Sequence, residues 1–270
     1  MADPFISIIT ITRQNLTGLK STMDSVLEQT ARNYEFIVID GGSSDGTPEL
    51  LSQQDGHLSY WVSEPDGGIY EAMNKGIAQA RGMYCIFMNA GDRFHRPDVL
   101  ERCIPLMQEG KDFYIGHQQN MGAHPFLTQA PGEVNAVMLA MKFLAHQATF
   151  IRTSLLKARP YDTGMRINAD WKQMYTELIL NSATYQRLDL VVADFDTNGI
   201  SHSGIPCNER DKELRRLFPP RLHQCICPDD AFTRKMLYAL FKERPLERDL
   251  KLLRNVLKQL FKDLLGKAYA

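Results

Sequence analysis

Apolar residues in the first third of the chain fall alternately into two rhythms. Phe5 to Ile11 is a short run rich in β-branched residues, and Asn15 to Gln29 then sets Leu16, Leu19, Met23, Val26 and Leu27 at helical spacing. A strand followed by a helix is predicted. Tyr34 to Ile39 is a second apolar run, closed by the turn formers Asp40-Gly41-Gly42-Ser43-Ser44-Asp45-Gly46 before a helical stretch from Thr47 to Ser52. Leu58 to Ser63 repeats the strand signal, Ile69 to Gln79 the helix signal, and Met83 to Met88 reads as another short buried strand. Strands alternating with helices predict an α/β fold whose parallel-rich sheet carries helices on both faces. From Gly110 to Gly132 the pattern weakens into scattered Gly, His and Gln, which predicts a loop over the site or an acceptor-side wall.

In such sheets ligands gather beyond the carboxyl ends of the strands. The residues to weigh are therefore Thr12, Arg13, Asp40, Asp66 and Asn89 to Asp92. Asp40 and Asp45 flank a turn, where an Asp can accept from a base N–H or cap the next helix. Glu64-Pro65-Asp66-Gly67-Gly68 is a rigid acidic turn leading into a helix that carries Asn74-Lys75; its Asp can hold a base and its Lys can reach phosphate, or the stretch is a plain helix start. Met88-Asn89-Ala90-Gly91-Asp92 puts a carboxylate beside a Gly at a strand tip, which suits Mg²⁺ or Mn²⁺ on a diphosphate or serves as a strand-to-loop cap.

Taken together, the segments Ser7 to Gln14, Val38 to Thr47, Glu64 to Gly82 and Asn89 to Asp92 resemble family 2 glycosyltransferases. That family opens with a strand close to S-I-I-x-P-T-Y-N and continues with V-D-D-G-S-x-D-G-T. E-x-D-x-G-x-x-x-A-x-N-x-G-x-x-x-A-x-G follows, then a strand ending in N-S-D-D. The resemblance spans roughly the first hundred residues and is nearest to bacterial enzymes of colanic-acid, O-antigen and capsule type. It implies a GT-A fold, a Rossmann-like mixed, mainly parallel sheet flanked by helices. It also implies inverting, metal-dependent transfer from a nucleotide sugar, with UDP suggested by the two Asp residues. On this template Asp40 and Asp66 contact the base, and Thr10, Thr12, Arg13 and Gly42 line the same pocket. Lys75, Asn89, Ala90 and Gly91 complete the nucleotide-binding set, and Asp92 holds a divalent Mn²⁺ or Mg²⁺ ion. Gly91 stands where the family carries the first Asp of its metal-binding pair, and Ile11 and Arg13 stand where Pro and Tyr are common.

The second half offers His146-Gln147-Ala148-Thr149-Phe150, Tyr161-Asp162 and Ile167-Asn168-Ala169-Asp170-Trp171. The resemblance implies that Asp170 is the catalytic base and that His146, Gln147 and Trp171 sit near the donor and acceptor sugars. Read from the residues alone, Asp170 also suits an N-cap, His146 a buried core position, and Asp162 the part of substitute base. His202 lies in a Gly- and Ser-rich segment, where it is a candidate metal ligand or a surface His.

Charge and cysteines sharpen the picture slightly. Met1 to Cys207 carries 16 basic and 23 acidic side chains, net −7, whereas Asn208 to Ala270 carries 15 and 9, net +6. Residues 1–207 are thus expected to form the catalytic domain, with a nucleotide-sugar half to about 100 and an acceptor half beyond it. Residues 208–270 are expected to form a helical tail. In that tail Leu250, Leu253, Leu257, Leu260, Phe261 and Leu264 keep helical spacing against Lys251, Arg254, Lys258 and Lys262. A basic amphipathic helix of this kind can lie on an anionic membrane or pack on protein. Cys85, Cys103, Cys207, Cys225 and Cys227 show no paired metal-binding spacing and are odd in number, which fits reduced thiols in the cytoplasm. Without a secretory signal or an apolar span of about 18 residues, the expectation is a cytoplasmic enzyme at the inner face of the plasma membrane. Its expected partners are a nucleotide-sugar donor and a glycan or polyprenyl-linked acceptor, with no nucleic acid. A sugar-phosphate nucleotidyltransferase is the competing enzyme, but Thr10 to Thr17 lacks the Gly such enzymes use to cradle a triphosphate; a non-catalytic nucleotide-sugar-binding module is the other alternative. P-loop and dinucleotide-binding fingerprints are absent.

Overall fold

The computed structural model describes residues 3–197 and 208–227. The chain divides into two compact units, Met1–Ala130 with Phe143–Lys212, and Pro131–Lys142 with Glu213–Ala270. In the first unit, β1 (Ile6–Thr12), β2 (Tyr34–Asp40), β3 (Tyr60–Ser63) and β4 (Tyr84–Phe87) alternate with α1 (Leu16–Leu27), α2 (Thr47–Gln53) and α3 (Ile69–Gln79). The four strands lie side by side in the order β3-β2-β1-β4, all parallel. Next come β5 (Arg93–Phe94), α4 (Val99–Cys103), β6 (Phe113–Met121), β7 (Phe126–Thr128), α5 (Ala136–Met141), β8 (Thr149–Arg152), α6 (Thr153–Ala158), α7 (Ala169–Tyr175), β9 (Tyr185–Asp196), α8 (Glu209–Leu217) and α9 (Pro220–Ile226). Here direction varies: β8 runs antiparallel to β4 and β6, β9 runs parallel to β6, and β5 and β7 pair antiparallel with β9 and β6. Among the described residues the sheet is mixed: β1 to β4 form a parallel block within the first hundred positions, and β6 and β9 form a second parallel pair beyond it.

The alternation of side chains along β1 explains the layers. Ile6 and Ile8 join Leu19, Met23 and Val26 of α1 in one core, the three helical residues falling on one face at i, i+4 and i+7. On the other face α3 lies so close that a Cβ at Gly76 would come within 2.5 Å of Ile9 Cγ2. Because β1 to β4 are parallel, their carboxyl ends form one rim. The register pairs Thr12 with Asp40 and Asp40 with Ser63, and the Ala90 amide just past β4 donates to the Ile11 carbonyl.

One expectation needs correction. The stretch from Gly110 to Gly132 contains β6 and β7, not a loop. Polar side chains of β6 bond one another and β7: Gln118 Nε2 donates to Asn120 Oδ1 (2.9 Å), and Asn120 Nδ2 donates to Thr128 Oγ1 (2.8 Å). Buried amides that find partners this way sit in a strand at little cost. A hydropathy pattern cannot register them.

Candidate active site

The rim begins with a carboxylate held by hydroxyls. Asp40, fully buried at the end of β2, accepts from the Ser43 amide (2.9 Å), the Ser43 hydroxyl (2.5 Å) and the Ser63 hydroxyl (2.6 Å). Those bonds fix the turn after β2 against the end of β3. The carboxylate of Asp66 lies over Gly41, whose added Cβ would meet Asp66 Oδ2 at 2.6 Å and Arg13 Cδ at 3.3 Å. Gly42, at φ +75°, brings its backbone against Pro65, a conformation and an approach that need glycine. Thr12 Oγ1 is buried without a hydrogen-bond partner. Thr12, Arg13, Asp40, Gly42 and Asp66 are thus brought together. Thr10 is not among them: its fully buried hydroxyl donates to the Met88 carbonyl (2.6 Å) and ties β1 to β4.

Past β4 the chain turns tightly around Thr22 of α1, whose hydroxyl donates to the Asp92 carbonyl (2.7 Å) and accepts from the Gly91 amide (3.0 Å). Gly91 sits at φ +110°. β5 then pairs with β9, Arg93 opposite Asp194, and extending that register backwards sets Asp196 against Gly91. The Asp196 amide donates to Asp92 Oδ1 (2.9 Å), and a Cβ on Gly91 would lie 3.0 Å from Asp196 Oδ2. A carboxylate from β9 therefore occupies the space beside residue 91. Burial pushes the Asp92 carboxyl up to about 7; the Asp196 amide and the Gln147 side chain oppose that by hydrogen bonding, and the Asp196 charge reinforces it. Asn89 Oδ1, in the same turn, is buried with no partner. Two acids and an amide oxygen form a hard, all-oxygen donor set of the kind Mg²⁺ or Mn²⁺ takes. Among the described residues no group of three or more His, Cys, Asp or Glu could hold a metal, so a cation here would fill its shell from a diphosphate and water.

Asp170 stands on α7, one position past its first residue, and does not cap it; the N-cap is Asn168, which makes no side-chain capping bond. Asp170 Oδ1 instead accepts from the Tyr70 hydroxyl (2.8 Å). Tyr70 packs on Tyr161 (ring centroids 5.6 Å), and Tyr161 Oη lies 2.8 Å from His146 Nε2. His146 is followed in sequence by Gln147, which reaches Asp92. Side-chain contacts thus lead from Asp170 through Tyr70 and Tyr161 to His146, the sequence neighbour of Gln147.

Four other expected residues are otherwise engaged. His146 is buried, stacks on Phe87 (4.7 Å) and has its imidazole held below its ordinary value by burial; it is a core residue, and Gln147 is the member of the pair that faces the acids. Trp171 is 2% exposed, packed on Tyr175 with the Arg210 guanidinium above it, so no face is open to a sugar. Lys75 Nζ pairs with Glu64 at 2.8 Å and Glu71 at 3.5 Å, a partnership that holds the acidic turn on α3. Asp162, the substitute base, pairs with Lys172 (2.8 Å). His202 and residues 228–270 lie outside the described residues. Sequence reasoning missed Asp196 and Tyr70.

A family described as Glycosyl transferase family 2 matches residues 7–167, taking in the rim and the acid turn. The chain belongs to that family. This family 2 glycosyltransferase is 35% identical over 236 residues to an uncharacterised glycosyltransferase of Mycobacterium tuberculosis, covering 80% of this chain and 86% of the relative. It is 29% identical over 226 residues to a PGL/p-HBAD biosynthesis glycosyltransferase of Mycobacterium bovis, covering 81% and 86%. S. aureus TarS 1-349 in complex with UDP-GlcNAc has a similar structure (TM-score 0.64, 16% identity, 87% of this chain and 71% of that one); of a longer TarS chain the match covers 42%. A mannosyltransferase from Pyrobaculum calidifontis in complex with GDP-Man and Mn²⁺ is more distant (TM-score 0.54, 16% identity, 80% and 61%). At these identities the likeness shows the fold, and it is the GT-A arrangement. Among the described residues no helix is long and apolar enough to cross a membrane.

Proposed function

We propose that this family 2 glycosyltransferase moves a sugar from a UDP-sugar to a glycan or lipid-linked acceptor of a surface polymer, with inversion. The observation that carries the reading is the Asp170 carboxylate, fixed by Tyr70 of the helix that follows the acidic turn at Asp66. The UDP complex of TarS and the biosynthetic name of the mycobacterial relative support the donor and the polymer. Thr12, Arg13, Asp40 and Asp66 would receive the base, the unpartnered Thr12 hydroxyl supplying a contact and Asp66 an acceptor for a base N–H. Asp92 and Asp196, with Asn89, would hold Mn²⁺ or Mg²⁺. When bound, the cation neutralises negative charge developing on the diphosphate.

Asp170 would take the proton from the acceptor hydroxyl as its oxygen bonds to the anomeric carbon and the bond from that carbon to the diphosphate breaks, releasing UDP. General-base assistance of this kind is typically worth ~10²–10⁴ in rate. Attack from the face opposite the diphosphate inverts the anomeric configuration in one step. The basic tail would hold the enzyme at the cytoplasmic face of the membrane, near a lipid-linked acceptor. The test is Asp170→Asn, assayed for UDP release across UDP-glucose, UDP-galactose and UDP-GlcNAc, with donor binding followed by thermal shift. Binding retained with turnover lost is expected. Near-parental turnover would remove Asp170 from the mechanism, and absence of UDP release by the parent enzyme would favour a binding module.

A further inference from the structure

We infer that Tyr70 is the positioning residue of Asp170, coupling the nucleotide-side turn to the base; this rests on the base role proposed above. Tyr70 is 5% exposed and its hydroxyl donates to Asp170 Oδ1 at 2.8 Å. Burial first, and the Asp170 charge second, hold the phenol protonated far above its ordinary value. It can therefore act on the carboxylate only as a neutral donor, which favours the anion. With Oδ1 so occupied, the second carboxylate oxygen is left for an acceptor.

The other end of this contact is the acidic turn. Tyr70 follows Ile69, the first residue of α3, directly after Gly67 and Gly68. The Gly68 amide donates to Asp66 Oδ1 (3.0 Å) and the Gly67 amide to Glu71 Oε2 (2.9 Å). Displacement of Asp66 would thus carry Tyr70, and with it the orientation of Asp170. The other titratable groups facing Asp170 are Tyr161 and His146, and the Arg210 guanidinium lies over the neighbouring Trp171 ring.

The test reads Asp170 directly and needs no substrate. The full-length protein carrying ¹³Cγ-labelled Asp is titrated by NMR, with the Asp170 resonance assigned by its loss in Asp170→Asn. In Tyr70→Phe the Asp170 midpoint should rise by about one pH unit, the worth of one hydrogen bond to a charged group. In Tyr70→3-fluorotyrosine, whose more acidic phenol donates more strongly, it should fall. The fluorinated variant is nearly isosteric and decides the question should the Phe variant fail to fold. A midpoint unmoved in the fluorinated variant, or in a folded Phe variant, overturns the inference and leaves the base role untouched. Full turnover by Asp170→Asn would remove the base role while the shifted midpoints stood.

Discussion

Asp92→Asn is expected to stabilise the cation-free protein at alkaline pH, although it removes a well-connected side chain. Asp92 is 4% exposed and lies beside Asp196 of β9, and its carboxyl is lifted from 3.8 to about 7. The folded chain thus holds this proton more tightly than the unfolded chain, so folding is favoured while Asp92 is protonated. Stability is lost as pH rises from the unfolded value through about 7. At ~1.36 kcal/mol per unit the full penalty is about 4 kcal/mol above that window, of which roughly 2–3 kcal/mol develops between pH 5 and 8. Asparagine keeps an oxygen for the Asp196 amide and carries no charge. Urea unfolding in EDTA at the two pH values should show the parent losing roughly 2–3 kcal/mol relative to the variant as pH rises. Mn²⁺ should close most of that gap, stabilising the parent by about 2.7 kcal/mol at a hundredfold excess over Kd and leaving the variant unmoved. Parent and variant running parallel from pH 5 to 8 would refute the claim that an uncompensated carboxylate is buried there.

Two further outcomes follow from other contacts. Asp196→Asn should weaken Mn²⁺ binding by at least about tenfold in calorimetry, comparable to losing a supporting group of a metal site; unchanged affinity would exclude Asp196 as a ligand. Glu35→Gln should cost about 2–3 kcal/mol at pH 7 in urea unfolding. Burial pushes Glu35 up, but hydrogen bonds from Ser7, Arg81 and Gly82 outweigh it and hold the carboxyl below its ordinary value. Its contribution is therefore present above the unfolded value and lost as pH falls through the folded one. The gap between parent and variant should close in acid, and a gap constant with pH would contradict this account.

The parallel block β1 to β4 was legible because strands buried on both faces read as largely apolar runs, and Asp, Gly and Ser turns punctuate them. β6 was not, since Gln118 and Asn120 spend their polarity inside the sheet. His146 and Trp171 drew attention by residue type, yet type does not say which way a side chain faces, and both turned inward. Asp196 carried no local signal: only the pairing of β5 with β9 delivers it to Gly91. Tyr70 was in view within Glu64-Pro65-Asp66-Gly67-Gly68-Ile69-Tyr70, but a tyrosine in the first turn of a helix reads as a packing residue until Asp170, a hundred positions on, is found at its hydroxyl.

The meeting of Gly91 with Asp196 ties readiness to biosynthesis. The two acids are 104 positions apart, so a nascent chain that has emerged only as far as the nucleotide-side strands would lack one of the two acids of the proposed cation grip. That grip closes when the last strand of the sheet docks. Divalent-ion binding at that site would then separate a chain whose β9 has docked from one that has folded only its nucleotide-side strands, which nucleotide binding alone would not do.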